Sequence, residues 1–366
     1  METSRLQTAL LFIITLILVG TVLRLIGSFV LPLVIAALLS FAVYPIVRFI
    51  IRLGVPRIVA IFLVLALILA GGFLIGFIIY TSGQQLLRQF PSYQRRFIEI
   101  IETLAENFNV PPEVIAEFNI MRTVSSYLFT LSGGFITFLS SFALVMLFLL
   151  FILVEAPYIQ TKVAAALEGS RTRKIMDLTL HINEQVGHYL GLKLLTSALT
   201  GGIVTVGFSV IGVDFAIIWG ILTFMFNFIP NIGSIIISAL SFLFIVVQFY
   251  PEPQPIVLAL TTMWLSQLII GNIVDPKLQG DRLNLSPVVI IFSLLFWGWL
   301  WGITGMFLSV PLTMVIKIVF GNIHSLRPIS ILMETGKAVQ KNIEMEQDNE
   351  IAATSEEQHA ETSLNR

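Results

Sequence analysis

Between Phe215 and Phe249 the chain runs for 35 residues without a charged side chain, and the middle of that run reads Phe226-Asn227-Phe228-Ile229-Pro230-Asn231-Ile232-Gly233-Ser234. A bilayer core of roughly 30 Å is crossed by about 20 helical residues, so this run is too long for one span. It also places two amides, a proline and a glycine where an anchor helix would carry Leu and Val. Backbone freed by such a break survives at membrane depth only if it is buried in protein or lines a polar cavity. Two apolar arms around a polar, Pro/Gly-interrupted centre are the mark of a transport site.

Composition agrees. The sequence is 56% hydrophobic and 12% charged with a mean hydropathy of +0.92, against roughly 25% charged in soluble domains. A net charge of -1 argues against a nucleic-acid partner, which calls for a basic face. The absence of cysteine excludes disulfides, thiolate metal sites and thiol chemistry. Leu6 to Leu23 is a long apolar run without a small-residue cleavage pattern, which predicts a retained first helix instead of a removed signal peptide.

The expected fold is all-α and polytopic, with about eight membrane segments, two of the long blocks being broken-helix hairpins. Three spans fill 1–80, at 6–23, 29–50 and 58–80; an external amphipathic region follows at 81–132. Residues 133–191 hold one more span and a cytoplasmic amphipathic helix. Residues 192–330 form the transport core, with hairpins at 215–249 and 285–320, and 331–366 is an acidic cytoplasmic tail expected to be disordered. Basic clusters at Arg48/Arg52/Arg57, Arg171/Arg173/Lys174, Lys277/Arg282 and Lys317/Arg327 share one face if each long block goes there and back. The positive-inside rule then puts that face and both termini in the cytoplasm.

Tyr93, Phe97, Ile100, Ile101, Leu104 and Phe108 recur at helical spacing in the external region, and Met176, Thr179, Ile182, Val186 and Tyr189 do so in the cytoplasmic one. Each predicts a helix lying on the membrane or packed on a neighbour. Asp177, His181, Glu184 and His188 share one helical face. That set has the chemistry for a divalent metal or a proton relay, but it also alternates with the apolar stripe as a solvated face does.

Ionisable groups at membrane depth cost about 2.5–3.5 kcal/mol and are informative for that reason. Gln267, Gly271 and Asp275 fall on one face with Asn272 beside them. Asp275 either caps the cytoplasmic helix end near Lys277 or binds a coupling cation or proton. In the last block, Pro287 opens an apolar arm, three Trp and three Gly crowd 296–305, and Pro311 sits in the second arm. Laid on the first block, Pro230–Ser234 falls opposite Trp301–Gly305 and Ser238 opposite Ser309, the register of an inverted repeat. Asn227, Pro230, Asn231, Gly233, Ser234, Gln267, Asn272, Asp275, Pro287, Gly302, Gly305 and Pro311 are therefore the expected solute and ion pathway.

The Phe226–Ser234 segment, with Ile273-Val274-Asp275-Pro276-Lys277-Leu278-Gln279-Gly280, Leu285-Ser286-Pro287, Gly302-Ile303-Thr304-Gly305-Met306 and Val310-Pro311, resembles the autoinducer-2 exporter family of bacterial permease-like proteins over roughly residues 6–330. The resemblance implies an oligomeric transporter of the bacterial inner membrane that exports a furanone-type quorum-sensing signal. For some members it implies Na⁺(Li⁺)/H⁺ antiport instead. The tryptophans of the second motif depart from the family pattern. A furanone diol would want amide and hydroxyl partners such as Asn227, Asn231, Ser234 and Ser238, whereas a cation would want freed carbonyls and Asp275.

No phosphate-binding Gly-x4-Gly-Lys-Ser/Thr stretch is present, nor a His-Glu-x-x-His or Gly-x-Ser-x-Gly motif. The expectation is thus a secondary or facilitated transporter, not an enzyme and without a cofactor, whose partners are the lipid bilayer, a small polar solute and Na⁺ or H⁺. A non-transporting membrane scaffold is the rival reading, in which the Asn and Pro of the first hairpin only satisfy helix packing.

Overall fold

The computed structural model describes residues 2–108, 120–166, 170–279, 284–340 and 344. All regular structure among them is helical: α1 (Glu2–Leu25), α2 (Gly27–Arg52), α3 (Arg57–Phe108), α4 (Ile120–Glu155), α5 (Tyr158–Ala166) and α6 (Ser170–Ile211). Then come α7 (Ala216–Phe226), α8 (Ile232–Phe249) and α9 (Pro253–Ser266), which passes through a π-helical stretch, Gln267–Val274, into α10 (Asp275–Gln279). The chain continues with α11 (Pro287–Asn322) and α12 (Arg327–Leu332). Seven described helices are long and apolar enough to cross a membrane, and the shorter Ala216–Phe226 adds one arm of a hairpin. The all-α polytopic expectation holds.

Two helices outrun their predicted spans. The 58–80 span and the amphipathic stretch after it form one helix of 52 residues, about 78 Å long at 1.5 Å per residue. Likewise the cytoplasmic amphipathic stretch and the 192–212 span are the single helix α6. The 3.6-residue period persists through both junctions; the polar residues mark where the helix leaves the apolar layer, not where it ends. Neither amphipathic face is left to lie on a membrane. Tyr93 and Ile100 bury against Val247 of α8, with Phe97, Phe215 and Phe244 around them. Val186 and Tyr189 bury against Leu38 of α2 and Leu285, Val310 and Met314 around α11.

Two further cores fix the frame. Ala36, Val43 and Val47 of α2 pack with Ala60, Ile61 and Val64 of α3 and Leu149 and Leu153 of α4. Gly72 makes room here, since a Cβ would lie 2.3 Å from the Phe142 ring. The other core joins Val204 and Phe208 of α6, Trp219 of α7, Ile237 and Ile245 of α8, and Ala259 and Met263 of α9. α6 thus belongs to both halves of the transport core.

The acidic tail begins later than expected. Met333 O accepts from Ser286 N at 2.9 Å, Glu334 pairs with Lys317 at 3.1 Å, and residues 336–340 are helical. The half-buried pair and the backbone bond tie this segment to the mouth of α11. The expected disorder of the rest of the tail lies outside the described residues, as do parts of the external region.

Candidate functional site

Both over-long blocks reverse. In the first, Pro230 supplies no N–H and disfavours helix at the residue before it. The Ile232 N–H bonds back to Pro230 O at 2.6 Å, a γ-turn around Asn231. Asn231 takes φ +58° there, a region Asn enters more readily than most residues. Gly233 then packs on the carbonyl of Phe226; a Cβ would sit 1.8 Å from that oxygen. α7 and α8 run back along each other, bringing the Trp219 and Phe244 rings to 5.3 Å.

The second block is broken inside α11, at Trp301 (φ -128°) and Gly302 (φ +62°, ψ -145°), the latter a conformation essentially confined to glycine. Ser293 Oγ donates to Ser309 O at 2.9 Å. Sixteen residues of unbroken helix would hold those atoms about 24 Å apart, so this block too is a hairpin. Gly305 repeats the device of Gly233, with 1.9 Å between its would-be Cβ and Trp297 O. In the register read from sequence, Asn231 and Gly302 coincide, and both have positive φ. The close-packed glycines are one residue out of that register.

The hairpins meet α6 from opposite ends. Gly220 of α7 faces Gly201 at a distance no Cβ would tolerate, and Asn227 at the tip reaches back to Ser197. The second hairpin packs Val310 and Met314 on Val186 and Tyr189, nearer the other end of the helix. The two meet where the Phe228 and Phe307 rings stand 6.5 Å apart.

On α6, facing the first tip, stands a polar centre. Lys193 Nζ donates to Asp275 Oδ2 at 2.7 Å, and Thr196 Oγ1 donates to Asp275 Oδ1 at 3.1 Å. Both charged side chains are about nine-tenths buried, at 8% and 11% exposure. One turn on, Asn227 Nδ2 donates to Ser197 Oγ at 3.1 Å, and Thr200 is buried with them. Asp275 owes its place to the π-helical stretch, which ends at the residue before it; such stretches recur at functional sites. The carboxylate therefore pairs with Lys193, 82 residues away, and does not merely cap a helix end beside Lys277. Two buried polar atoms nearby have no hydrogen-bond partner: Thr223 Oγ1, one turn before Asn227, and Gln267 Nε2, two turns before Asp275. Unsatisfied buried polar groups are rare in native structures.

The expected pathway residues divide. Asn227 and Asp275 come together through α6, and Gln267 lies on the broken helix leading to them. Pro230, Asn231, Gly233, Gly302, Gly305 and Pro311 shape backbone. Ser234 bonds locally to Asn231 O at 2.8 Å, and Asn272 and Pro287 are exposed. Lys193, Thr196, Ser197 and Thr200 were not among the residues singled out, although a lone Lys followed by hydroxyls at +3, +4 and +7 in an apolar helix was a readable signal. The unusual tryptophans face α1: Trp301 Nε1 donates to Leu23 O at 3.3 Å, and the Arg24 guanidinium lies 5.6 Å from the Trp299 ring centroid. His181 Nδ1 contacts Asp177 O on its own helix, and no metal-holding group of three or more such side chains occurs among the described residues.

Beside the mouth of the second hairpin is an open cavity of about 350 Å³ bordered by His181, Gln185, Asn284, Lys317, Ser330 and Glu334.

A polytopic helical bundle with two opposed, interrupted hairpins around a buried charged centre defines the class: a multi-pass membrane transporter. Residues 10–325 match the model of the AI-2E family transporter, and the chain belongs to that family. It is 34% identical to a putative transport protein of Borreliella burgdorferi, over 85% of this chain and 86% of the relative. It is 34% identical to a putative transport protein of Haemophilus influenzae, over 86% and 92%. The AI-2 transport protein TqsA of Escherichia coli is 30% identical over 85% of this chain and 90% of its own length.

Proposed function

We propose that the protein is a secondary or facilitated exporter of a small polar solute, and that the solute passes between the tip of the first hairpin, α6 and the broken α9–α10 helix. The observations that carry this reading are the buried residues Ser197, Asn227 and Thr223 at the first tip, and the buried Thr223 Oγ1 and Gln267 Nε2 atoms, which have no hydrogen-bond partner. Amide and hydroxyl groups suit a hydroxylated neutral molecule. A furanone of the autoinducer-2 kind is of that class, and the Escherichia coli relative is named as an AI-2 transport protein. The protein belongs on this reading to a bacterial inner membrane, with both termini cytoplasmic, and works as a homo-oligomer without hydrolysing nucleotide. Na⁺(Li⁺)/H⁺ antiport is the second reading, supported by the buried Asp275 carboxylate.

The test is autoinducer-2 counterflow in proteoliposomes holding the full chain. Wild type should exchange labelled solute, and Thr223→Val or Asn227→Leu should abolish the exchange. Exchange unchanged in both variants sinks the assigned path. A wild type that moves no solute and co-purifies with one fixed partner supports the scaffold reading.

A further inference from the structure

Lys193 is the twelfth residue after His181, and the side chains at each intervening turn are polar: His181, Gln185, Tyr189, Lys193. They climb α6 at about 6 Å per step, some 18 Å in all. His181 and Gln185 border the 350 Å³ cavity. Tyr189 is buried, 5% exposed, packed with Val186, Leu285 and Met314, one turn before Lys193. At the top, Lys193 and Thr196 engage both oxygens of Asp275. A row of polar side chains thus leads from an open cavity to a buried ion pair.

The charges around this row are few. Lys317 and Glu334 stand at the cavity, His188 is half-buried on α6, and Glu184 and Lys277 are exposed. The stretches packed on α6 at membrane depth, residues 27–47, 216–249, 253–274 and 287–316, contain no Asp, Glu, Lys, Arg or His; Asp177 precedes His181 by one turn on α6, and α2 continues to Arg48 and Arg52.

We propose that Asp275 exchanges partners between the Lys193 ammonium and a proton, that the proton leaves it along Tyr189, Gln185 and His181, and that export is therefore coupled to protons and not to Na⁺ or Li⁺. This rests on the transport reading above. When the broken helix moves Asp275 off Lys193, the carboxylate takes one proton from the external side. When the pair re-forms, the ammonium displaces that proton, which leaves past Tyr189, Gln185 and His181 to the cavity; Lys193 keeps its own three N–H bonds throughout. One proton enters and one leaves per cycle, and while Asp275 is protonated the Lys193 ammonium stands without its counter-charge, a cost that favours re-forming the pair. A metal cation fits this site badly. It would have to displace a covalently tethered ammonium and gather several oxygen ligands, whereas a proton needs one.

Two measurements on the full chain decide the matter. In proteoliposomes, an imposed pH gradient should drive autoinducer-2 accumulation, and an Na⁺ or Li⁺ gradient at equal pH should not. Gln185→Leu with Tyr189→Phe should slow the pH-driven accumulation severalfold while counterflow at uniform pH stays at the wild-type rate. Accumulation driven by Na⁺ or Li⁺, or an unchanged pH-driven rate in the double variant, overturns the proposal. The second measurement needs no solute. At pH values where ordinary aspartates are ionised, infrared spectra of protein carrying ¹³C-labelled Asp should show a carboxylic-acid band that disappears in Asp275→Asn combined with Lys193→Met, a pair that removes both charges together. Added Na⁺ at constant pH should leave the wild-type band in place. A band that survives in the variant, or that Na⁺ removes, refutes the exchange. Absent counterflow in the wild type refutes the transport reading alone, and the infrared result still decides whether Asp275 trades its partner for a proton.

Discussion

The Lys193–Asp275 pair makes a quantitative demand on stability. At 2.7 Å and an effective dielectric of about 20, the gross attraction is roughly 6 kcal/mol. Desolvating each ion costs several kcal/mol, so the intact pair contributes little net stability. Removing one partner is different, because the other stays buried without its counter-charge at about 3–5 kcal/mol. The lower figure applies here, since Thr196 still donates to Asp275 in Lys193→Met and an amide oxygen still faces Lys193 in Asp275→Asn. Each single variant should therefore lose about 3 kcal/mol and the double variant close to none, a coupling of roughly 6 kcal/mol. For 366 residues at about 2.1 cal/mol/K each, 3 kcal/mol corresponds to a Tm about 4 °C lower. Thermal unfolding in lipid nanodiscs, followed by tryptophan fluorescence, resolves that difference. A double variant as unstable as the sum of the two singles would show that the charges do not interact and would refute the reasoning.

Gly233→Ala and Gly305→Ala should each prevent folding of the reversal, because a Cβ at 1.8 or 1.9 Å from a carbonyl oxygen has backbone in its way; Gly271→Ala, with nothing within 4 Å of the new carbon, should express as wild type, and size-exclusion profiles of the three separate the cases. The chain has no cysteine, so single cysteines at the exposed positions Glu102 and Lys277 should react with an impermeant maleimide from opposite sides of the membrane; labelling from one side would break the topology.

The break at Phe226–Ser234 was legible because its cause is local. Proline, glycine and asparagine restrict or permit backbone angles wherever they occur, so a reversal could be read from those residues alone. The second reversal was readable for the same reason at Gly302. Element ends along α3 and α6 were not, because a fall in hydropathy looks like a helix end when it is only a helix leaving the apolar layer. The partner of Asp275 was hidden more deeply. Lys193 stands at the first residues of an apolar run, where a lysine ordinarily marks the membrane boundary, and nothing periodic links it to a carboxylate 82 residues later. Only the packing of α9 and α10 along α6, shifted by the π-helical stretch, brings the two together.

The same packing separates the two amides of the opening motif, which sequence alone could not tell apart. The first tip satisfies its own backbone: Ile229 N bonds Phe226 O at 2.9 Å, Ile232 N bonds Pro230 O, and Gly233 N bonds Ile229 O at 3.1 Å. Neither amide side chain is needed to cap it. Asn231 is exposed and serves through its positive φ, which glycine adopts without penalty. Asn227 is 8% exposed and spends its amide on Ser197 across the helix boundary. Asn231→Gly should therefore keep both fold and counterflow, while a β-branched Asn231→Val should cost about 1–3 kcal/mol of strain. Asn227→Leu should fold, since it replaces a buried amide by an apolar group of similar size, at a loss of about 1–3 kcal/mol for the stranded Ser197 hydroxyl, and should lose counterflow. If Asn231→Gly stops transport while Asn227→Leu does not, the solute contacts the exposed amide at the turn, and the buried centre on α6 is a packing device.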